Sequence, residues 1–358
     1  MWLWLAEITE GNNKLEKKIL DNCGEPEIIY KMSDKEILGS ADFTEYEKKI
    51  LQNNLEKVSL DRIKDDLKAK EVNFVSAEHE EFPSSLRAYQ DCPFHLYYKG
   101  RLPADNTLLV AVVGSRVCSN YGRNIAKNLG RELSENDISI ISGMARGIDT
   151  YSHLGAVEIK KPTFAVLGCG VDICYPTENI ELYRDIISYC GGIISEYPCG
   201  TKPLSWNFPL RNRIISGMSD AVVVVEAKEK SGSLITVEYA LEQGKDVFAV
   251  PGRVGDVLSE GCNRLIKSGA MVLTEPSDIL QNYGISKKTK CKISALSKKN
   301  LEKDLLLVYI ELGLHPVSVQ TIIEETRLEY EKIMELLTKL QLMGLVEEVY
   351  QNHYARTK

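Results

Sequence analysis

The residues best suited to chemistry are glycine, serine and arginine groups that directly follow apolar runs. Gly114-Ser115-Arg116 follows one such run, and Ser231-Gly232-Ser233 follows another, with Lys228 and Lys230 just before it. In loops of this kind backbone amides approach a phosphate closely, a helix N-terminus adds partial positive charge, and arginine adds a fork of donors. Thr236 lies one turn into the helix that the second loop begins. The two loops together therefore predict anion binding, although for Gly114-Ser115-Arg116 taken alone a simple tight turn with a solvated arginine is the alternative.

A third group combines arginines with aromatic rings. The string Phe208-Pro209-Leu210-Arg211-Asn212-Arg213 follows Trp206 and Lys202. Positive charge beside a stacking ring is typical of sites for single-stranded nucleic acid. The alternative is that Phe208 belongs to the core and that the arginines pair with Glu196 or Asp220.

Asp149 and His153, four residues apart, form a candidate acid–base pair. At this spacing two side chains share one helix face, where they could move a proton or form half a metal site. Alternatively, Asp149 caps the helix and His153 pairs with it structurally. We favour the structural role because no third ligand or nucleophile lies nearby in the sequence.

The chain lacks two common nucleotide-binding fingerprints. Neither Gly-x-Gly-x-x-Gly nor Gly-x-x-x-x-Gly-Lys-Ser/Thr occurs, which disfavours a dinucleotide cofactor and a P-loop ATPase. The nine cysteines include no Cys-x-x-Cys pair, so neither a zinc ribbon nor a disulfide framework is supported. We expect no cofactor and no metal ion.

The elements that must position these loops alternate between strand and helix. Helical stretches, such as Tyr121–Asn136, Glu178–Cys190 and Leu234–Gln243, separate most of the apolar runs. This alternation predicts a mostly parallel α/β sheet of the extended Rossmann-like type, with its loops at one edge. The runs predicted as strands are Leu108–Val113, Ile138–Ile141, Thr163–Leu167, Gly192–Ser195, Ala221–Glu226, Asp246–Val250 and Met271–Thr274.

Residue composition and hydrophobic pattern divide the chain into a central domain and two flanking segments. Residues 1–70 indicate a helical domain, of the SAM or helix-hairpin-helix kind, with an amphipathic helix at Leu55–Glu71. Residues 71–284 hold the sheet domain, and 285–300 form a linker with six lysines and no acid. Residues 301–358 indicate three helices and a hairpin, the pattern of a winged helix.

Charge and composition restrict the function classes. Hydrophobic residues at 44% and charged residues at 27% match a soluble globular protein. Neither a signal peptide nor an apolar run of membrane-spanning length is evident, so we expect a cytoplasmic protein without a membrane partner. The net charge of −7 restricts any nucleic-acid site to a local basic patch. Residues 301–358 are acidic, which predicts that this segment contacts protein, or contacts DNA only weakly.

Several short strings between Phe82 and Ala270 are highly specific when taken together. They resemble the DNA-processing protein A family (DprA, also called Smf) nearly loop by loop. The strings are Phe82-Pro83-Ser84-Ser85-Leu86, Tyr97-Tyr98-Lys99-Gly100, Val113-Gly114-Ser115-Arg116, Ser142-Gly143-Met144-Ala145-Arg146-Gly147-Ile148-Asp149, Tyr175-Pro176, Phe208-Pro209-Leu210-Arg211-Asn212-Arg213, Ser231-Gly232-Ser233-Leu234-Ile235-Thr236, Pro251-Gly252 and Gly261-Cys262-Asn263-Arg264-Leu265-Ile266.

The resemblance implies a non-enzymatic role. Proteins of this family bind and protect incoming single-stranded DNA during natural transformation and help to load a RecA-type recombinase. Their extended Rossmann domain forms a homodimer and holds DNA in a basic pocket. With the residue patterns above, the expected DNA-binding residues are Gly114, Ser115, Arg116, Lys202, Phe208, Arg211, Asn212, Arg213, Ser231, Gly232, Ser233 and Thr236.

Two other function classes compete with this hypothesis. Gly232, Thr236 and Glu238 faintly resemble the loop of nucleotide-processing enzymes of the lysine-decarboxylase-like type. The doubled glycine and the paired Arg–Glu pattern of those enzymes are missing. A scaffolding protein that recruits recombinase without using these loops is the second alternative.

Overall fold

The computed structural model describes residues 1–285, 303–313 and 316–356. The chain divides into two compact units, Met1–Lys288 and Thr289–Lys358. The lysine-rich stretch 286–300, which we interpret as a linker, lies outside the described residues.

A nine-stranded sheet organises the first unit and confirms the mostly parallel α/β fold. Its order is β1-β2-β6-β5-β4-β3-β7-β8-β9. The strands β1 and β2 run antiparallel to their neighbours, and the remaining pairs are parallel. The predicted runs correspond to β3 through β9, whereas β1 and β2 lack a long apolar run that would predict them. The strands are β1 Asn73–Ser76, β2 His95–Gly100, β3 Leu109–Val113, β4 Ser139–Ser142, β5 Thr163–Leu167, β6 Gly192–Ser195, β7 Ala221–Val224, β8 Asp246–Ala249 and β9 Met271–Val272.

Helices cover both faces of this sheet. Along β3, Ala111 and Val113 belong to one core with Ile214 of the helix α11 (Asn207–Met218), while Val110 and Val112 belong to another with the helices α8 (Asn120–Glu135) and α9 (Ile148–Glu158). Burial on both faces explains why the strands are apolar throughout rather than alternating. The helices are α1 Trp2–Ile8, α2 Asn13–Cys23, α3 Pro26–Ile29, α4 Asp34–Gly39, α5 Glu45–Leu55, α6 Leu60–Ala69, α7 Ser84–Arg87, α8 Asn120–Glu135, α9 Ile148–Glu158, α10 Ile180–Ser188, α11 Asn207–Met218, α12 Ser233–Glu242, α13 Glu260–Lys267 and α14 Pro276–Asn282, and a 3₁₀ turn spans Thr177–Asn179.

The N-terminal helices pack directly on the sheet. Leu3 and Leu67 join a core with Tyr97 of β2 and Leu167 of β5. The single helix predicted over Leu55–Glu71 is wrong, because extended backbone at Ser59 separates α5 from α6. A domain boundary at residue 70 stays a prediction, since these contacts join both sides of it.

A buried polar seam connects the same helices to β2. His95 is 1% exposed, with Nε2 lying 3.0 Å from the carbonyl oxygen of Glu196 and Nδ1 lying 3.5 Å from a carboxylate oxygen of Glu16. Both neighbours are acceptors, so only the doubly protonated imidazolium presents a proton to each. Burial lowers the pKa of His95, but Glu16 and Glu196 outweigh burial and raise that pKa above its ordinary value.

The second unit has the element order predicted for a winged helix. The helix Lys303–Glu311 precedes a short strand at Val317–Ser318, and two further helices and a hairpin follow. The hairpin strand His353–Arg356 lies between the other two strands, and both pairings are antiparallel. The name winged helix stays an interpretation of this order. The remaining elements are the helices Val319–Thr326 and Tyr330–Leu342 and the strand Val346–Tyr350.

Candidate functional site

A cavity of about 590 Å³ opens at the carboxyl edge of the sheet. It lies where the strand order reverses, because β3 pairs with β4 on one side and β7 on the other. Parallel sheets bind ligands at such switch points, where successive loops diverge to opposite faces. All predicted site residues except Lys202 and Arg213 line this cavity: Gly114, Ser115, Arg116, Phe208, Arg211, Asn212, Ser231, Gly232, Ser233 and Thr236.

Three exposed cations border the cavity. Arg116 comes from the loop after β3, and Lys228 and Lys230 come from the loop after β7. Within the described part of the chain, none of the three lies within 4.0 Å of a carboxylate. The acid between the lysines, Glu229, is paired with Arg264 at 3.1 Å. The cavity therefore presents positive charge on a chain whose net charge is negative.

The N-terminus of α12 forms one wall. Ser231 and Ser233 lie with their hydroxyl oxygens 2.8 Å apart, and the amide of Leu234 donates to the carbonyl of Ser231 at 3.0 Å. From α11, Asn212 Nδ2 donates to the carbonyl of Gly232 at 3.4 Å. Helix-terminal amides and hydroxyl groups beside lysines suit an anion, because the helix dipole is positive at this end.

Two aromatic rings also line the cavity. The ring of Phe208 stacks on Tyr175, with centroids 5.6 Å apart and planes inclined by 24°. The guanidinium carbon of Arg116 lies 5.6 Å from the Phe208 centroid. Phe208 is thus half-buried at the site rather than a core residue. Cation and ring are positioned together, an arrangement that suits a base next to a phosphate.

The N-terminus of α8 is closed to ligands, contrary to our expectation for the loop after β3. A carboxylate oxygen of Glu226 accepts from the amide of Ser119 at 2.9 Å, and the other accepts from the Ser119 hydroxyl. A Cβ placed on Gly122 would lie 2.4 Å from this carboxylate, so the helix approaches Glu226 as closely as glycine permits. Glu226 therefore takes the position that a phosphate would need at α8, whereas the N-termini of α11 and α12 line the cavity.

Arg211 forms the floor rather than a solvent-exposed contact. It is 4% exposed and donates to the carbonyls of Gly143, at 2.9 Å, and Val166. Burial lowers its pKa, and the nearby Asp149 opposes that effect. Arg211 therefore ties the loop after β4 to the end of β5, and it gives the floor a positive charge.

Arg213 and Lys202 lie outside the cavity lining. Arg213 is 7% exposed and forms an ion pair with Glu196, which was the alternative considered from the sequence. Lys202 is exposed, and its successor Pro203 lines the cavity. Thr236 is 1% exposed, so it contributes to the wall rather than to the surface.

Asp149 and His153 each form hydrogen bonds to other parts of the fold and not to each other. Asp149 accepts from the amides of Gly143 and Ala145 at 3.1 and 3.3 Å, whereas His153 Nδ1 lies 2.7 Å from the Thr163 hydroxyl. These contacts favour the structural role, which stays an interpretation because Asp149 also lines the cavity. The predicted pairing of the two side chains is not observed: the loop after β4 binds Asp149, and His153 lies against Thr163. Burial lowers the pKa of His153 to about 3, which leaves it neutral at physiological pH.

Some cavity residues were absent from the predicted set. Lys228 and Lys230 border the site, and their position beside Ser231 in the sequence was the available signal. Tyr175 belongs to a string that carries the family resemblance, yet only the fold brings it to Phe208. Among the residues described by the structure, no group of three His, Cys, Asp or Glu side chains could hold a metal ion. No helix in the same residues could cross a membrane.

Comparisons with known proteins converge on one family. The family model for DNA recombination-mediator protein A matches residues 73–284. Protein Smf of Escherichia coli (strain K12) is 36% identical over 283 residues, which cover 77% of this chain and 75% of that protein. DNA processing protein DprA of Streptococcus pneumoniae is 45% identical over 202 residues, which cover 56% of this chain and 71% of that protein.

Two solved structures show the same similarity. The X-ray structure of DNA processing protein A from Streptococcus pneumoniae superposes with a TM-score of 0.65 at 34% identity, covering 78% of this chain and 96% of that one. The structure of DNA processing protein A from Helicobacter pylori superposes with a TM-score of 0.53 at 29% identity, covering 59% and 95%. The latter is described for its unique mode of binding single-stranded DNA.

Proposed function

Because this chain belongs to the DNA recombination-mediator protein A family, we propose that it binds single-stranded DNA in the cavity at the carboxyl edge of the sheet. By binding the strand in this cavity, the protein protects incoming DNA during natural transformation and loads a RecA-type recombinase onto it. It works as a homodimer in the cytoplasm. It acts by binding and has no catalytic step.

One observation carries the DNA-binding part. Three exposed cations, none of them within 4.0 Å of a carboxylate of the described residues, lie with a helix N-terminus and a stacked aromatic pair in a single cavity. The cations and amides contact phosphates, which are identical at every nucleotide, and a ring accepts any base. The pocket therefore suits a strand of any sequence. The single-strand binding described for the Helicobacter pylori relative supports this proposal.

The geometry also favours a single strand over a duplex. Stacking on Phe208 or Tyr175 requires a base whose face is free, and duplex DNA keeps its bases stacked on each other. A blunt duplex can contact only the cations, so we expect it to bind at least tenfold more weakly than a single strand of the same length.

The acidic second unit fits a protein partner. Its described residues include nine acids and five bases, and Lys332 and Lys339 lie 3.2 and 2.8 Å from Glu335. Arg356 donates to the carbonyls of Tyr309 and Ile310, both at 2.9 Å. Few cations remain to contact phosphates, so we assign this unit to contact with protein.

Fluorescence anisotropy with labelled oligonucleotides tests the DNA-binding proposal. The wild type should bind a single strand, and Arg116→Ala should weaken binding about tenfold, the effect of one charge-assisted contact. Arg184→Ala is the control, because Arg184 is exposed, paired with Glu181 and outside the cavity. Equal affinity for blunt duplex and single strand, or an unchanged affinity in Arg116→Ala, would contradict the cavity model.

Loading needs a separate measurement. Filament formation by a RecA-type recombinase on single-stranded DNA should speed up when the wild-type protein is added. A protein that binds DNA with the expected affinity but leaves filament formation unchanged would restrict the function to DNA protection.

A further inference from the structure

We propose that Glu196 is a positioning residue for the DNA cavity and that the N-terminal helices hold it in place. The inference rests on the proposed function of that cavity. Glu196 directly follows β6, is 3% exposed and does not line the cavity.

The Glu196 carboxylate joins α2 to α11. Its Oε1 accepts from the guanidinium of Arg213 in α11 and, at 3.1 Å, from Nδ2 of Asn13, the first residue of α2. Asn13 also donates to the carbonyl of Cys92 at 3.0 Å. The helix that contains Arg213 also carries Phe208, Arg211 and Asn212, so the ion pair limits how this cavity wall can tilt or slide.

The backbone around Glu196 is held by the same N-terminal region. Gly11 has a φ of +66°, and a Cβ placed on it would lie 2.7 Å from the Glu196 carbonyl oxygen and 3.0 Å from Pro198. The turn at Gly11 therefore lies flat against residues 196–198. The His95 ring contacts the same carbonyl oxygen at 3.0 Å.

A second contact between the N-terminal region and the loop before α11 lies at Gly200, four residues after Glu196. Lys70, just after α6, lies 3.2 Å from a carboxylate oxygen of Asp172, and Asp172 accepts from the amide of Gly200 at 2.8 Å. From Gly200 the chain continues to Pro203 and Ser205, which line the cavity, and then into α11. The N-terminal helices thus restrain the loop before α11 at two points and the helix itself at one.

Buried ion pairs suit such a role because their geometry is restrictive. If Glu196 loses its charge, the buried Arg213 keeps one carboxylate neighbour in the described part of the chain, the half-exposed Asp91 at 4.0 Å. We therefore expect α11 to shift or to expose the guanidinium so that it regains solvation. Loss of the Glu196 charge should therefore displace α11 and, with it, the stacking ring and the amide that contacts α12. The displacement should be local, since the core of α11 still packs on β3 and β5.

Glu196→Gln in the full chain tests this proposal. Glu7→Gln is the matched control, because Glu7 also links the N-terminal helices to the sheet, accepting from the Tyr97 hydroxyl at 2.9 Å. Among the described residues, no hydrogen bond or ion pair joins Glu7 to α11. Three readouts are needed: the thermal midpoint, hydrogen exchange of residues 203–212 without DNA, and affinity for a thymidine oligonucleotide.

We expect Glu196→Gln to accelerate exchange in residues 203–212 and to weaken DNA binding about fivefold, as if one uncharged contact in the displaced cavity wall were lost. Glu7→Gln should leave both the exchange of residues 203–212 and the DNA affinity unchanged, even if it lowers the thermal midpoint as much as Glu196→Gln does. Unchanged exchange in Glu196→Gln, or equal changes in both variants, would overturn the positioning role. A wild type that does not bind DNA would instead refute the proposed function, while the exchange data would still decide the positioning role.

Asn13→Ala is a second variant that tests the same proposal if Glu196→Gln does not fold. This variant removes one partner of the carboxylate and leaves the ion pair with Arg213 in place. It should also accelerate exchange in residues 203–212 and weaken DNA binding, but only about twofold. No change in exchange would count against the proposal.

Discussion

Replacing both Lys228 and Lys230 by glutamine should flatten the salt dependence of DNA binding. Each phosphate neutralised on a single strand contributes about −0.7 to the slope of log K against log salt. Three cations border the cavity, so we expect a wild-type slope of about −2.1, and about −0.7 once only Arg116 remains. Between 50 and 200 mM salt, affinity should fall about twentyfold for the wild type and about threefold for the double variant.

The measurement is fluorescence anisotropy of a labelled thymidine oligonucleotide at four or more salt concentrations. The control is Lys161→Gln with Arg184→Gln, which removes the same charge from two residues that pair with Asp137 and Glu181. Neither control residue lines the cavity. An unchanged slope in the Lys228/Lys230 variant, or the same flattening in the control, would refute the assignment of phosphates to these lysines.

Three further predictions concern stability and the cavity floor. Glu226→Gln should lower the free energy of unfolding in urea by about 1–3 kcal/mol, because an amide replaces a buried acceptor at the start of α8; an unchanged midpoint would contradict this. Gly143→Ala should lower the thermal midpoint and weaken DNA binding, since its Cβ would lie 2.5 Å from the Arg211 guanidinium; wild-type affinity would show that the floor adapts. The pKa of His95 is raised in the folded state, so the stability from its pairing with Glu16 is complete below about pH 6.5 and lost as pH rises through the folded pKa. Urea unfolding across pH 6–9 should show this loss in the wild type, and His95→Gln should remove it.

The placement of most predicted site residues follows from strand polarity. In a parallel sheet every loop that leaves a carboxyl end reaches the same edge, so Gly114, Phe208 and Ser231 meet although they are far apart in the chain. The apolar runs that indicated the strands were sufficient for this inference. Lys228 and Lys230 could have been added on the same argument, because they lie in one of these loops.

The role of each helix N-terminus could not be inferred in the same way. The loop after β3 has the residues expected of a phosphate site, but the carboxylate that closes it comes from Glu226, 107 residues beyond Ser119. Only the pairing of β3 with β7 brings them together. Likewise, nothing local distinguishes Arg211 and Arg213 from exposed arginines, yet packing buries both and commits each to a different partner.

The sequence by itself therefore determined the α/β class, the sheet edge at which the candidate loops meet and the family, because local periodicity and loop composition encode those features. The tertiary structure decided which cations have a carboxylate neighbour among the described residues, that Glu226 covers the N-terminus of α8, and how the N-terminal helices attach to the sheet. These depend on contacts between residues remote in sequence. A charge becomes a binding group or a structural one according to whether an opposite charge is packed against it, and that is settled only when the chain is folded.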